Sequence, residues 1–342
     1  MLSTMDATPT APPRRRWTGR FEITSVHVLA GILVLGFALA PLLIRAGTDE
    51  PAFQAATTIF VSIFVQAIPF LVLGVLVSGA IAAFVSPDLL QRVLPDSTTG
   101  AICVAGVAGM AVPGCECGSV PASRRLIDHG APGAAALTFM LAAPAINPVV
   151  LVATAVAFAG EPAMVAARFT GSLATALLTG AIWARIGRPG WLTSRPAQHT
   201  HGTDGAKWRV FTEAARHDLL QAGSFLVVGA AAATALRLLV PAWIYDTLAG
   251  NIVAAIVVCA ALAVILALCS EADAFVAASM SALPLLPRLV FLVVGPAIDV
   301  KLFAMQAGSF GRPFALRFAP LTLLVAVACA TIAGLIFLGG AR

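Results

Sequence analysis

Nine mostly apolar stretches follow one another along this chain, at 27–45, 56–85, 100–112, 133–159, 162–186, 218–240, 250–268, 284–305 and 316–338. Several reach the ~20 residues a helix needs to cross the hydrocarbon layer of a bilayer. Between them the 342 residues offer only 21 basic and 16 acidic side chains, 11% of the chain, where soluble domains carry about 25%. So few charges cannot cover a water-soluble fold of this length, and the mean hydropathy of +0.95 agrees. Disordered segments are charge-rich and apolar-poor, so disorder is excluded as well. The expected fold class is an all-α polytopic membrane protein with about 7–9 membrane-crossing segments.

A net charge of +5 raises the question of nucleic acid. The basic residues, however, fall in a few interhelical segments, and the excess of Lys and Arg in cytoplasmic loops of membrane proteins explains that simply. No nucleic-acid partner is expected. Residues 1–26, with Pro9, Pro12, Pro13 and Arg14–Arg15–Arg16, read as a cytoplasmic tail, and 27–45 as a first span. A signal peptide is the rival reading, but this apolar run exceeds the roughly 7–15 residues of a signal-peptide core. The segment 187–217 carries Arg188, Arg195, Lys207, Arg209 and Arg216 and is expected to be cytoplasmic too. The chain is therefore placed in the inner (plasma) membrane with its N-terminus inside.

Two stretches do not behave as simple spans. The run 100–112 is short and leads into VPGCECGSVP, Val112 to Pro121, and 133–159 is interrupted by Pro144-Ala145-Ile146-Asn147-Pro148. Proline lacks a backbone donor and clashes with the preceding turn, so a helix breaks there. Inside lipid a broken backbone survives only when buried in protein or lining a wet cavity. The chain also repeats itself. FVQAIPFLVLG from Phe64 aligns with LLQAGSFLVVG from Leu219, CECGSV from Cys115 with CSEADA from Cys269, and PAIN from Pro144 with PAID from Pro296, at offsets of 155, 154 and 152 residues. This divides the chain into a first repeat at 56–186, a linker at 187–217 and a second repeat at 218–338, with the first span outside. Charge placement requires 100–130 to enter and leave on one side, which returns Arg124 and Arg125 to the cytoplasm. Three crossings and one hairpin per half then make the repeats inverted. Continuous kinked spans are the alternative for 100–130 and 250–283, and Arg237 and Arg288 fit the scheme poorly. Inverted repeats with broken helices meeting near mid-membrane are a recurring transporter architecture, because helix ends present unpaired backbone groups and partial charge to a solute.

Chemistry concentrates at these breaks. Cys115-Glu116-Cys117 sets two thiols around a carboxylate, a donor set suited to a soft thiophilic solute. Thiolates bind such solutes better than thiols, so binding releases protons. The plainer reading is that cysteine serves as a small apolar core residue. A zinc site needs four ligands, and no second pair matches, so no metal site is expected. Cys269-Ser270-Glu271-Ala272-Asp273 keeps one thiol and adds two carboxylates. Glu116, Glu271 and Asp273 are candidates for proton or ion coupling, since an acid at membrane depth is costly and a low-dielectric setting favours its protonated form. A water-exposed loop end is the competing explanation. Asn147 and Asp299 hold matched places in PAIN and PAID and could cap the half-helices beyond while lining the central site. Lys301 either pairs with Asp299 or snorkels to the surface. Gln66 and Gln221 are repeated polar positions, Arg168 is a gating or interfacial residue, and His199 and His201 lie in a polar loop.

The six cysteines sit in or beside apolar stretches rather than in spaced polar loops, so a disulfide scaffold is not expected. The chain has no G-x-x-x-x-G-K-[ST], G-x-S-x-G or H-E-x-x-H, so neither ATP hydrolysis on a P-loop nor an enzyme is indicated, and no cofactor is expected.

VPGCECGSVPASRRL, APAINPVV, CSEADAF and GPAID together resemble the signature segments of the ArsP-type permeases, over about residues 55–338. That family includes exporters of trivalent organoarsenicals. The resemblance implies a polytopic permease without an ATPase domain, with Cys115, Cys117 and Cys269 as thiol ligands. The expected function is a secondary permease that exports a small thiophilic solute by alternating access, driven by protons. A copper(I) permease and a membrane thiol oxidoreductase cycling Cys115 and Cys117 are the alternatives. Solute, direction, coupling ion and oligomeric state are left open by the sequence.

Overall fold

In lipid every backbone N–H and C=O must find a partner within the chain, and helices supply it segment by segment. The computed structural model describes residues 51–84, 94–111, 116–188, 191, 204–239, 251–281 and 283–339. The tail and first span expected at 1–45, Cys115, His199 and His201 lie outside the described residues, as do the side chains of Gln66, Cys117, Gln221, Arg237 and Glu271.

The described residues form twelve helices and no strand: α1 Pro51–Phe84, α2 Thr98–Met110, α3 Glu116–Asp128, α4 Gly133–Ala145, α5 Pro148–Ala157, α6 Pro162–Ile186, α7 Asp204–Leu239, α8 Ile252–Leu266, α9 Ser270–Ser279, α10 Leu285–Ala297, α11 Val300–Phe310 and α12 Arg312–Phe337. Helices α1 to α6 run to 34, 13, 13, 13, 10 and 25 residues. Helices α7 to α12 run to 36, 15, 10, 13, 11 and 26. The same length pattern thus occurs twice, in the same order. Four segments are long and apolar enough to cross a membrane: Gly133–Ala157, Pro162–Ile186, Leu285–Phe310 and Arg312–Phe337. Two of these are the interrupted pairs α4–α5 and α10–α11. Val61, Val65, Ile68, Val72 and Leu76 form an exposed apolar stripe along α1, the face a lipid-embedded helix turns outward.

Counterpart helices pack together, α1 on α7, α4 on α10 and α6 on α12. The α1–α7 pair is antiparallel: Ser78 meets Asp218, while Phe84, at the end of α1, meets Trp208 near the start of α7 with ring centroids 6.0 Å apart. The α6–α12 pair is antiparallel too. Trp183 near the end of α6 packs edge-on against Phe314 and Phe318 near the start of α12, and Gly171 faces Ala330 and Ala333.

Helices α2 and α3 both contribute to a small apolar cluster, Ala101 from the start of α2 and Ala122 and Leu126 from α3. The later part of α3 is tied down by Arg125, which makes a two-pronged contact with Asp218 of α7 at 3.1 and 3.0 Å. Ser78 of α1 donates to the same carboxylate at 2.6 Å. Arg124 pairs with Asp128 at 2.9 Å and reaches the Ser309 carbonyl of α11. In the turn between α9 and α10, Arg288 of α10 donates to the Leu283 and Ser281 carbonyls. Close approach is built from glycine: a Cβ on Gly74 of α1 would fall on the Gly118 backbone of α3.

Candidate functional site

Each interruption has a local cause. Pro148 cannot donate to the preceding turn, and it forces the residue before it out of the helical region; Asn147 accordingly sits at φ −71°, ψ 157°. Its side chain serves both sides of the break, accepting from the Val150 amide at 3.0 Å and donating to the Ala143 carbonyl at 2.9 Å. Asp299 is also extended, at φ −141°, ψ 175°, and accepts from the Leu302 amide to start α11. Both matched residues therefore cap the helix that follows them. Between α8 and α9 the chain turns at Ala267, φ 47°, the one non-glycine with positive φ among the described residues. A side chain in that region costs about 1–3 kcal/mol, and α9 then begins directly after Cys269.

These breaks aim helix N-termini into the interior. Glu116 opens α3 and Ser270 opens α9, and the Ser270 hydroxyl donates to Glu116 Oε1 at 2.6 Å. Both residues are fully buried. Lys301, in the first turn of α11, places its ammonium 3.7 Å from Glu116 Oε2 and 3.7 Å from Asp299 Oδ2. Arg168 of α6 donates to the Ser270 carbonyl at 2.8 Å and to the Thr154 hydroxyl at 2.7 Å. Asp273 lies one turn into α9 within electrostatic reach of Arg168, Glu116, Lys301 and Asp299. Its Oδ2 rests against the backbone of Gly295, where a Cβ would come within 2.5 Å of it. Ile146, Cys269 and Leu302, the chain neighbours of Asn147, Ser270 and Lys301, belong to one buried apolar cluster that also holds Val120, Met140 and Met305.

All five charged residues are at most 1% exposed: Glu116, Asp273 and Asp299 against Arg168 and Lys301. Helix N-termini carry partial positive charge and favour the carboxylates. With every group ionised the described cluster still holds one negative charge too many, and an uncompensated buried charge costs several kcal/mol. Among the described residues Glu116 Oε2, Asp273 Oδ2 and Asp299 Oδ2 accept no hydrogen bond. The arrangement can therefore take up one proton or one monovalent cation.

Of the residues singled out from sequence, Glu116, Asp273 and Asp299 come together, and Cys269 lies beside them, 2% exposed. The hydrogen bonds of Asn147 described above stay within its own break. Lys301 takes the pairing role rather than the surface one. Arg168 is wholly buried and bound, not interfacial. Ser270 and Thr154 were not singled out. Ser270 was hidden between two more obvious neighbours, and a lone threonine in an apolar helix carries no signal.

The chain matches the family described as ArsP_1, predicted permease, over residues 52–337. It is 33% identical over 282 residues, 81% of this chain and 94% of the relative, to a Streptococcus mutans protein named "Putative two-component membrane permease complex subunit". It is 35% identical over 273 residues, 78% of this chain and 92% of the relative, to UPF0718 protein YcgR of Bacillus subtilis. A helical bundle with lipid-facing apolar stripes, built around a buried charge cluster, fits that kinship, and the chain belongs to the ArsP_1 family of multi-pass membrane permeases.

Proposed function

We propose that this permease is a secondary transporter that exports a small thiophilic solute, such as a trivalent organoarsenical, by alternating access between two inverted repeats, with proton exchange as the driving reaction. The observation that carries this reading is the Glu116–Ser270 hydrogen bond. It joins the segment whose sequence carries Cys115 and Cys117 to the segment that carries Cys269, and thiols are the ligands a soft thiophilic solute takes. The antiparallel pairing of counterpart helices supports the inversion, because a two-fold axis lying in the membrane plane relates antiparallel elements. The α2–α3 and α8–α9 hairpins are then re-entrant, entering from opposite faces. The gathering of Arg124, Arg125, Lys207, Arg209 and Arg216 at one end supports a cytoplasmic placement of that end. The excess carboxylate supports the proton: a thiol ligand loses one as it binds a trivalent arsenical, and buried Glu116 and Asp273 are acids that could accept it, with Glu271 the further candidate from the sequence. The name of the Streptococcus relative adds a second component as a partner to look for.

The test is expression in cells lacking arsenic efflux, with methylarsenite in the medium. Resistance and lowered accumulation are expected, and both are expected to vanish in the Cys115→Ser/Cys117→Ser chain. Unchanged sensitivity of cells whose membranes contain the full-length protein would remove the arsenical reading. Resistance that persists without the two thiols would remove their role.

A further inference from the structure

The charge cluster needs a way to exchange water and protons with one face, and the two seams leading away from it differ in a manner the proposed transport reaction does not require. Helix α3 packs on α11, and α9 packs on α5; by the repeat these are equivalent pairings. In the first seam the cluster end is marked by Glu116 and Lys301, and the far end by Arg124 reaching the Ser309 carbonyl. Between them α3 carries Ser119 and Ser123, and α11 carries Gln306, all at most 4% exposed. Ser119 and Ser123 turn their hydroxyls back to the Glu116 and Ser119 carbonyls. Gln306 is wholly buried, and neither its amide oxygen nor its amide nitrogen is hydrogen-bonded among the described residues. The Nε of Arg124 is in the same condition.

The second seam is polar only next to the cluster. The counterparts of Ser123 and Arg124 are Ala277 and Ala278, and the counterpart of Ser309 is Ala157. The counterpart of Gln306 is Thr154, whose hydroxyl is satisfied by the Val150 carbonyl and Arg168. Buried Phe158 and Ala277 complete an apolar closure there.

A buried amide with neither atom paired forfeits the hydrogen bonds it made to water, and bridging water would restore them. We propose that the α3–α11 seam is an aqueous access path carrying water and protons between the charge cluster and the face bearing Arg124 and Arg125, with Gln306 as its polar midpoint and Arg124 as its gate. The path rests on reading the cluster as the transport site, but not on the identity of the solute.

Single cysteines in a chain whose native cysteines are replaced by alanine test this, using a small charged membrane-impermeant methanethiosulfonate on sealed vesicles of both orientations. Arg216→Cys, at an exposed position, marks the face in question. Gln306→Cys and Ser123→Cys are expected to label from that face, and Ala277→Cys to resist it, with rates differing on the order of tenfold or more because a sealed site reacts only by local opening. Adding Arg124→Ala is expected to speed the first two. Protection of both Gln306→Cys and Ser123→Cys from that face, with Arg124→Ala present, overturns the path. If Gln306→Cys yields no monodisperse protein, Ser123→Cys decides alone. No solute enters the assay: failed arsenical export leaves the path standing, and a sealed seam in an exporting chain removes the path only.

Discussion

Ser270 donates a hydrogen bond to Glu116 at 2.6 Å across 154 residues of sequence, and 154 is also the offset that aligns CSEADA with CECGSV. The two residues thus hold matched places in the proposed repeat. Under the inversion proposed above, contact between matched residues falls next to the axis that would relate the halves, as does the packing of α1 on α7 and of α6 on α12. A serine facing a glutamate there would break that symmetry at its centre: one segment supplies the charge, the other the donor.

Lys301 lies 3.7 Å from each of two carboxylates, Glu116 and Asp299, that are far apart in sequence. Lys301→Met leaves Glu116 and Asp299 buried without that cation and is expected to destabilise the protein by about 3–5 kcal/mol. Adding Glu116→Gln to Lys301→Met is expected to recover part of the loss, since one of the stranded charges goes with it. Thermal unfolding of the detergent-solubilised variants reads both. Equal stability of Lys301→Met and the parent would mean that the ammonium is not buried between those acids.

Asp299 has two jobs that can be separated. Asparagine caps a helix about as well as aspartate, whereas alanine costs about 1 kcal/mol at such a position. Asp299→Asn is therefore expected to keep α11 and the thermal stability near the parent while abolishing the proposed transport in everted vesicles, because its charge beside Lys301 is lost. Asp299→Ala is expected to lose both. Full transport by Asp299→Asn would assign the residue to capping alone.

The two glycines Gly74 and Gly223 lie in corresponding long helices but differ in what faces them. A Cβ on Gly74 meets the Gly118 backbone, which cannot move aside without shifting α3, whereas a Cβ on Gly223 meets nothing within 4 Å among the described residues. Gly74→Ala is expected to abolish the folded, membrane-inserted yield. Gly223→Ala is expected to be neutral or to stabilise by up to about 1 kcal/mol through helix propensity. Size-exclusion profiles and melting curves compare them.

Arg125 and Asp218 tie α3 of the first half to α7 of the second, with side chains 24% and 7% exposed. Because the arginine is partly solvated, Arg125→Ala is expected to cost about 1–3 kcal/mol, less than a fully buried pair would. Ser78→Ala removes the neutral donor and is expected to cost about 1 kcal/mol. Melting curves that rank Ser78→Ala as the worse variant would contradict this assignment.

Much of this arrangement was legible in the chain itself. PAIN and PAID announce two helix breaks because proline and a capping residue leave few other options, and both breaks stand where those letters are. CSEAD and CECG mark the remaining two. The length pattern of the repeat follows from the same landmarks. Less legible was what lies between them. The sequence places an apolar stretch at 218–240, yet α7 begins at Asp204, because Trp208 and Phe211 of its polar first part pack against α1. Arg168 read equally as an interfacial residue, since an arginine near the start of a span can reach water; the Ser270 carbonyl and the Thr154 hydroxyl, distant in sequence or silent in composition, help to turn it inward. Gln306 gave no sign at all. A single amide in an apolar helix acquires meaning from its unpaired surroundings, which only the packing reveals.

The convergence of the two broken segments is tested most directly by joining them. Glu116→Cys and Ser270→Cys are introduced into a chain lacking the six native cysteines, with a protease site placed in the linker at 192–203. After oxidation in the membrane and cleavage of the linker, the two halves are expected to migrate as one band on a denaturing gel and to separate on reduction. Halves that separate without reductant, from protein that oxidised fully and remained folded, would contradict a shared centre.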